Sequence, residues 1–221
     1  MNKIKLMYDV AMAMKKSGKI AGTLTAKVRK DQAEVFSLCN QFEKTDAGKG
    51  KTVVSAEFNL DGRHVTREST TEFDLPGCCS HGHGHGHGML RRLLHGKAER
   101  EGCCGVRGFF GKLSVAFGVL SGIEAEEREN GTARLSLNLD ALPDELKAGL
   151  LERLRHKAEH CCDHGFLADC QQVEGVHGQI NVDVDKERRI EKITLGLDGS
   201  TRDADDELHE VTAGGEISFA W

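Results

Sequence analysis

The chain opens with apolar residues at helical spacing and then switches to a period of two. Ile4, Met7, Val10, Ala11 and Met14 recur every three or four positions, which is the repeat of one helix face. Lys15 and Lys16 suit the negative end of a helix dipole, and Gly18 supplies a stop. The pattern predicts a packing helix over residues 3–16. From Ile20 to Phe73 the alternation is that of strands. Leu24, Ala26 and Val28 alternate with Thr23, Thr25 and Lys27. Phe36, Leu38 and Phe42 share a face, with Cys39 on the other as a small apolar filler. Val54, Ala56, Phe58 and Leu60 follow, and Asp61-Gly62 is a tight-turn signal before the return through Val65 to Phe73. Four antiparallel strands are predicted, with one apolar face and one face of Thr, Lys, Arg and Glu.

After Pro76 the pattern breaks, and it resumes in the second half. Met89–Lys97 has a short helical pattern, and Phe109–Ile123 fits helix or strand equally. Residues 123–139 read as a hairpin turning at Asn130-Gly131. Pro143 opens a long helix near residues 143–164, with Leu146, Leu150, Leu154 and Ala158 as its buried stripe. Ile180, Val182 and Val184 alternate before a charged turn at Asp185–Arg188. Ile193, Leu195 and Leu197 alternate up to Asp198-Gly199. The acidic stretch Asp203–Glu207 reads as a solvated turn before a last strand in which Ile217, Phe219 and Trp221 share a face.

These elements predict an α+β fold. A single domain over residues 1–221 contains a helix plus a four-stranded antiparallel segment (1–75), a Cys/His/Gly-rich insert (76–105), and a hairpin, long helix and C-terminal strands (106–221). The order of elements resembles the bacterial lipoprotein-carrier and lipid-binding family. The resemblance rests on the helix Ile4–Met14, the strand run Leu24–Phe73, and the helix start Leu142-Pro143-Asp144-Glu145-Leu146 before the last sheet. It implies a curved, half-barrel-like antiparallel sheet with the N-terminal helix and the long helix packed on one face. It also implies an apolar cavity for a lipid-like ligand on the concave side, with no residue-level site. The Cys/His insert and the lack of an export signal depart from that family's pattern.

Composition narrows the function. The formal net charge is −5, with the two signs interspersed, so no basic face for nucleic acid or an anionic membrane is expected. No apolar run reaches the roughly 18 residues of a membrane span. Residues 1–16 lack signal-peptide character, which predicts a cytoplasmic chain, or a periplasmic or extracytoplasmic one if a leader has been removed. Glycine-rich phosphate loops, His-Glu-x-x-His and nucleophile elbows are absent from the sequence, which predicts no enzyme.

The chemistry concentrates in residues 77–104, which hold four cysteines and five histidines. Eight cysteines in an intracellular chain do not predict a disulfide framework, and six of them form the adjacent pairs 78/79, 103/104 and 161/162. His81, His83, His85 and His87 alternate with glycine. In an extended chain such a spacing puts the imidazoles on one side, about 6.5–7 Å apart. Cys78 and Cys79 lie just upstream, and Cys103 and Cys104 return on the far side. Two thiolates plus two imidazoles, or a thiolate pair from each end, would close a tetrahedral shell for Ni, Zn or Cu. A mobile low-complexity loop is the plainer reading.

A second cluster pairs His156, His160 and His164, one helical turn apart, with Cys161, Cys162 and Cys170. His160 and His164, with Cys162 at the margin of the leucine stripe, are candidate ligands, whereas Cys161 falls within that stripe as a buried thiol. His64, His177 and His209 read as solvent-facing or satisfied histidines, and His95 follows no spacing rule. The leading expectation is non-enzymatic binding of a divalent transition metal, as buffer, sensor or delivery factor. A carrier or interaction domain for an apolar ligand is the alternative, and a dithiol redox protein is a third reading. Monomer and dimer are left open, although a His-Gly loop shared across a two-fold axis would complete a shell easily.

Overall fold

A computed structural model describes residues 2–45, 49–60, 62–74, 118–128, 130–149, 152, 174–202 and 206–221. Helix α1 (Lys3–Lys16) opens the chain. The Asn2 side chain caps it, accepting from the amides of Ile4 at 3.0 Å and Lys5 at 3.4 Å, and so satisfies two orphan donors of the first turn.

Among the described residues nine strands follow: β1 (Ile20–Lys30), β2 (Ala33–Lys44), β3 (Lys49–Leu60), β4 (Arg63–Asp74), β5 (Ile123–Glu127), β6 (Ala133–Asn138), β7 (Glu174–Val184), β8 (Ile190–Arg202) and β9 (Leu208–Ala220). Residues 118–122 and 144–149 are helical. Phe109–Ile123, which fitted either element, therefore ends as a helical turn entering a strand. Only the first part of the helix expected over 143–164 falls within the described residues.

All nine strands form one antiparallel sheet, ordered β4-β3-β2-β1-β9-β8-β7-β6-β5. Each half of the chain is a meander, and β1 pairs with β9 to join them. Hairpin chemistry sets the short connections. Asp31 and Gln32 have φ of 48° and 70°, the doubly left-handed geometry of a two-residue turn whose twist matches its strands. Gly62 (φ 76°) and Gly131 (φ 80°) take the left-handed position in their turns. Strands β4 and β5, consecutive in sequence, lie at opposite edges.

The register aligns side chains in rows across the sheet. One row runs Leu135, Val182, Ile193, Ile217, Leu24 and on to Asn40, Val54 and Ser69. The next runs Leu137, Ile180, Leu195, Gly215, Ala26, Leu38 and Ala56. These rows form one apolar face. The intervening rows, such as Ser136, Asn181, Thr194, Glu216, Thr25, Cys39 and Ser55, form the polar one.

Two expectations need correction. The helix face that packs on the sheet carries Leu6 and Val10, 2% and 7% exposed, with Met14 beside them. Ile4, expected in the stripe, is 63% exposed. Leu6, Val10 and Met14 follow an i, i+4, i+8 row, and it is this row that packs against Ala133 and Val184 of the sheet. The turn signal Asp198-Gly199 lies inside β8, where both residues pair with β9. Ladder bonds on both sides of a central strand override the local turn preference.

Candidate functional site

The apolar face divides into two halves of different chemistry. Under α1, Leu6 and Val10 form a buried cluster with Ala133 and Val184, flanked by Met14, Ala125, Leu135, Val182 and Ile190. That cluster draws on β5 to β8 and is aliphatic. The other half, β9 with β1 to β4, carries every phenylalanine among the described residues: Phe36, Phe42, Phe58, Phe73 and Phe219. Phe36, Phe42, Phe58 and Phe219 are half-buried, and Phe73 is exposed. The rings associate in pairs. Phe36 and Phe58 have centroids 5.0 Å apart, Phe42 meets Phe219 edge-on at 6.0 Å, and Trp221 stacks on Phe219 at 5.8 Å. Such tilted, edge-on and stacked pairs add to the area they bury. The Trp221 indole nitrogen donates to the Ile190 carbonyl at 2.8 Å, which holds the ring in place.

Glycines make room for these rings. A Cβ on Gly22 would stand 2.6 Å from the Phe42 ring and 2.5 Å from the Ser218 carbonyl oxygen. At Gly50 it would stand 2.4 Å from the Phe73 ring. Each glycine lies directly across from its ring, Gly22 from Phe42 and Gly50 from Phe73. The rings therefore occupy the space a side chain on each glycine would need, an aromatic-over-glycine arrangement that pins register. The result is a shallow, ring-lined apolar surface.

The opposite face is tied by polar cross-strand pairs. Arg134 grips Asp183 with two parallel hydrogen bonds of 2.8 and 2.9 Å, the geometry that suits guanidinium to carboxylate. The Arg134 hydrogen bonds, then the Arg134, Arg128 and Lys192 charges, hold the Asp183 carboxyl below the usual range against the opposing cost of burial. Lys192 reaches Glu216 at 3.1 Å, and its hydrogen bond, with one from Ser218, lowers the Glu216 carboxyl. Asp31 is lowered chiefly by its hydrogen bond with His209, 2.6 Å away. A shallow hollow beside Asp31, lined by residues including Lys30, Glu34, Arg63 and His64, mixes both charge signs and lies at the turn end of the sheet.

The three strand histidines are satisfied, as their positions in the sequence predict. His64 bonds Asn59 at 2.5 Å, His177 bonds Asp140 at 2.8 Å, and His209 bonds Asp31. Cys39 is a half-buried free thiol facing Thr25 and Ser55. The metal-ligand candidates Cys78, Cys79, His81, His83, His85, His87, Cys103, Cys104, His156, His160, Cys162 and His164 all lie outside the described residues. Among the described residues no group of three or more His, Cys, Asp or Glu is placed to hold a metal, and no helix is long and apolar enough to cross a membrane.

No protein-family model and no curated protein matches the chain. Solved structures superpose only loosely. A tesB protein of Mycobacterium avium subsp. paratuberculosis is 10% identical with a TM-score of 0.17, covering 99% of this chain and 86% of its own. The dehydratase domain from the CurF module of curacin polyketide synthase is also 10% identical at 0.17, covering 99% and 82%. A conserved protein with a hot dog fold from Alicyclobacillus acidocaldarius is 13% identical at 0.15, covering 100% and 87%. At these TM-scores the superpositions assign neither a shared fold nor an activity.

Proposed function

We propose that this protein binds an apolar, lipid-like ligand on the aromatic half of its sheet, as a carrier and without catalysing a reaction on it. One observation carries the reading. Every described phenylalanine, with the single tryptophan, lies on the half of the apolar face outside the α1 cluster, and most of these rings are half-buried rather than enclosed. Large exposed apolar surfaces mark interaction sites, and flat rings offer a hydrocarbon chain wide contact at little entropic cost. The order of elements, which resembles the lipoprotein-carrier half-barrels, supports the same reading.

Trp221 is the only tryptophan and reports on this surface. Titration with a fatty acid or lysophospholipid below its micelle concentration should shift its emission saturably. Phe42→Ser, which removes a central ring, should abolish the saturable shift while circular dichroism is preserved. An unchanged emission, together with no lipid extracted from freshly purified protein, refutes the proposal.

A second reading rests on the sequence of residues 78–104. Four imidazoles at a spacing of two, with thiolate pairs on both sides, compose a donor set for Ni, Zn or Cu. The two functions are compatible, because the ligand surface and the donor set share no residue. Elemental analysis of untagged protein, purified without metal resin, tests it beside a variant lacking residues 78–88. Stoichiometric metal lost in the variant supports the insert. Metal kept in the variant moves the site to His156–Cys170, and no metal in either sinks the reading.

A further inference from the structure

We propose that β4 is a homodimer edge, pairing antiparallel with β4 of a second copy about a two-fold axis through Ser69, whatever the apolar face binds. The sheet has two edges, and they differ. Strand β5 is five residues long and acidic, with Glu124, Glu126 and Glu127, the short charged kind of edge that resists further pairing. Strand β4 is twelve residues long, has β3 as its one neighbour among the described residues, and is exposed at every position from 63 to 73. Its outer row of backbone donors and acceptors is a template for another strand.

The side chains of β4 select the partner and the register. A two-fold axis perpendicular to the sheet keeps each face on its own side, so residues paired across it share parity. With the axis at Ser69, Val65 of one copy lies opposite Phe73 of the other, twice. These are the two large apolar side chains of β4, 55% and 41% exposed, and both belong to the apolar face. On the same face Arg67 meets Thr71. On the polar face Glu68 meets Thr70 and Thr66 meets Glu72. No like charges oppose each other directly.

Sliding the axis by one residue either way, or by two to Arg67, undoes this. At Arg67 it sets arginine on arginine, at Glu68 glutamate on glutamate, and at Thr70 it sets Glu68 on Glu72. Like charges directly opposite are destabilising. The charges of β4 thus forbid the neighbouring registers and leave open the one that stacks Val65 on Phe73, as expected of a self-complementary interface. The dimer doubles the sheet and continues its apolar face across the seam.

Sedimentation velocity over a concentration series tests this on the full chain. Wild-type protein should sediment as a dimer. Ser69→Lys and Ser69→Glu each set like charges on the axis at an exposed position, and each alone should be monomeric with an unchanged circular dichroism spectrum. Their equimolar mixture should dimerise again, because Lys then opposes Glu. Hydrogen exchange on wild-type protein needs no variant: β4 amides should gain protection as concentration rises, and β5 amides should not. A monomeric wild type, variants that remain dimeric, a mixture that stays monomeric, or β4 amides indifferent to concentration each overturn the proposal.

Discussion

Leu6→Ala measures how much of the fold depends on α1 lying over the sheet. Leu6 is 2% exposed and sits among Val10 (7%), Ala133 (1%) and Val184 (0%). The substitution deletes three carbons from that contact. Leucine-to-alanine changes in cores cost about 2–5 kcal/mol, with the spread set by how far the surroundings collapse. Collapse is restricted here, because Ala133 and Val184 belong to strands paired on both sides. A loss of about 3 kcal/mol follows, offset by a few tenths from the better helix propensity of alanine. Ile4→Ala is the control. Ile4 is 63% exposed, so its replacement should stay within about 0.5 kcal/mol. Urea unfolding followed by circular dichroism reads the difference. With a slope of about 2 kcal/mol/M, the Leu6→Ala midpoint should fall by about 1.5 M and the Ile4→Ala midpoint should barely move. Equal midpoints, or a larger loss in Ile4→Ala, would refute the packing of the Leu6–Val10 row and restore the stripe through Ile4 and Met7.

Other predictions concern the sheet. Gly22→Ala places a Cβ 2.5 Å from the Ser218 carbonyl and should cost about 1–3 kcal/mol through overpacking. Gly214→Ala meets nothing within 4 Å and should be neutral or add about 0.4–1 kcal/mol; thermal unfolding of the pair checks both. Asp183→Asn removes the Arg134 pair and should cost about 1 kcal/mol at neutral pH, a modest figure because Arg134 is 38% exposed. The folded Asp183 carboxyl titrates below its unfolded value, so its stabilisation is complete above the unfolded pKa of about 3.9. It is lost as pH falls through the lower folded value. The gap between wild type and Asp183→Asn should therefore close in acid, and a gap that widens there would reverse the assignment.

Local chemistry was readable from the sequence, and partner choice was not. Period two, the Asp61-Gly62 and Asn130-Gly131 turns and the Asp185–Arg188 turn mark strands that the structure contains, because alternation and turn residues act within a few positions. The pairing of β1 with β9 lies beyond that range. No residue of Ile20–Lys30 names its partner, and the junction, a ladder from Ala21 opposite Ala220 to Lys30 opposite Val211, is set by tertiary pairing. The α1 face was misjudged for a related reason. Ile4, Met7, Val10, Ala11 and Met14 and Leu6, Val10 and Met14 are both helical rows, and only packing against Ala133 and Val184 of the sheet decides between them. The rings of the candidate site were visible as apolar strand positions. Their segregation from the helix-covered half was not, because it depends on sheet order.

The ligand surface and the dimer edge can be separated experimentally, and the geometry says how. Helix α1 has 14 residues and is about 21 Å long. Four strands at about 4.8 Å spacing occupy a comparable width, and the core under α1 draws on β5 to β8. A helix of that length cannot also cover β9 and β1 to β4, so among the described residues α1 leaves the aromatic half uncovered. Ser69 lies on the edge strand, whereas Phe42 lies on β2 and meets Phe219 across the sheet. Ser69→Lys should therefore give a monomer whose Trp221 emission still responds saturably to lipid. Phe42→Ser should give a dimer that does not respond. If Ser69→Lys also lost the lipid response, the ligand surface would extend across the seam and the binding unit would be the dimer. If Phe42→Ser lost dimerisation with its fold intact, the contact between copies would lie on the aromatic face rather than along β4.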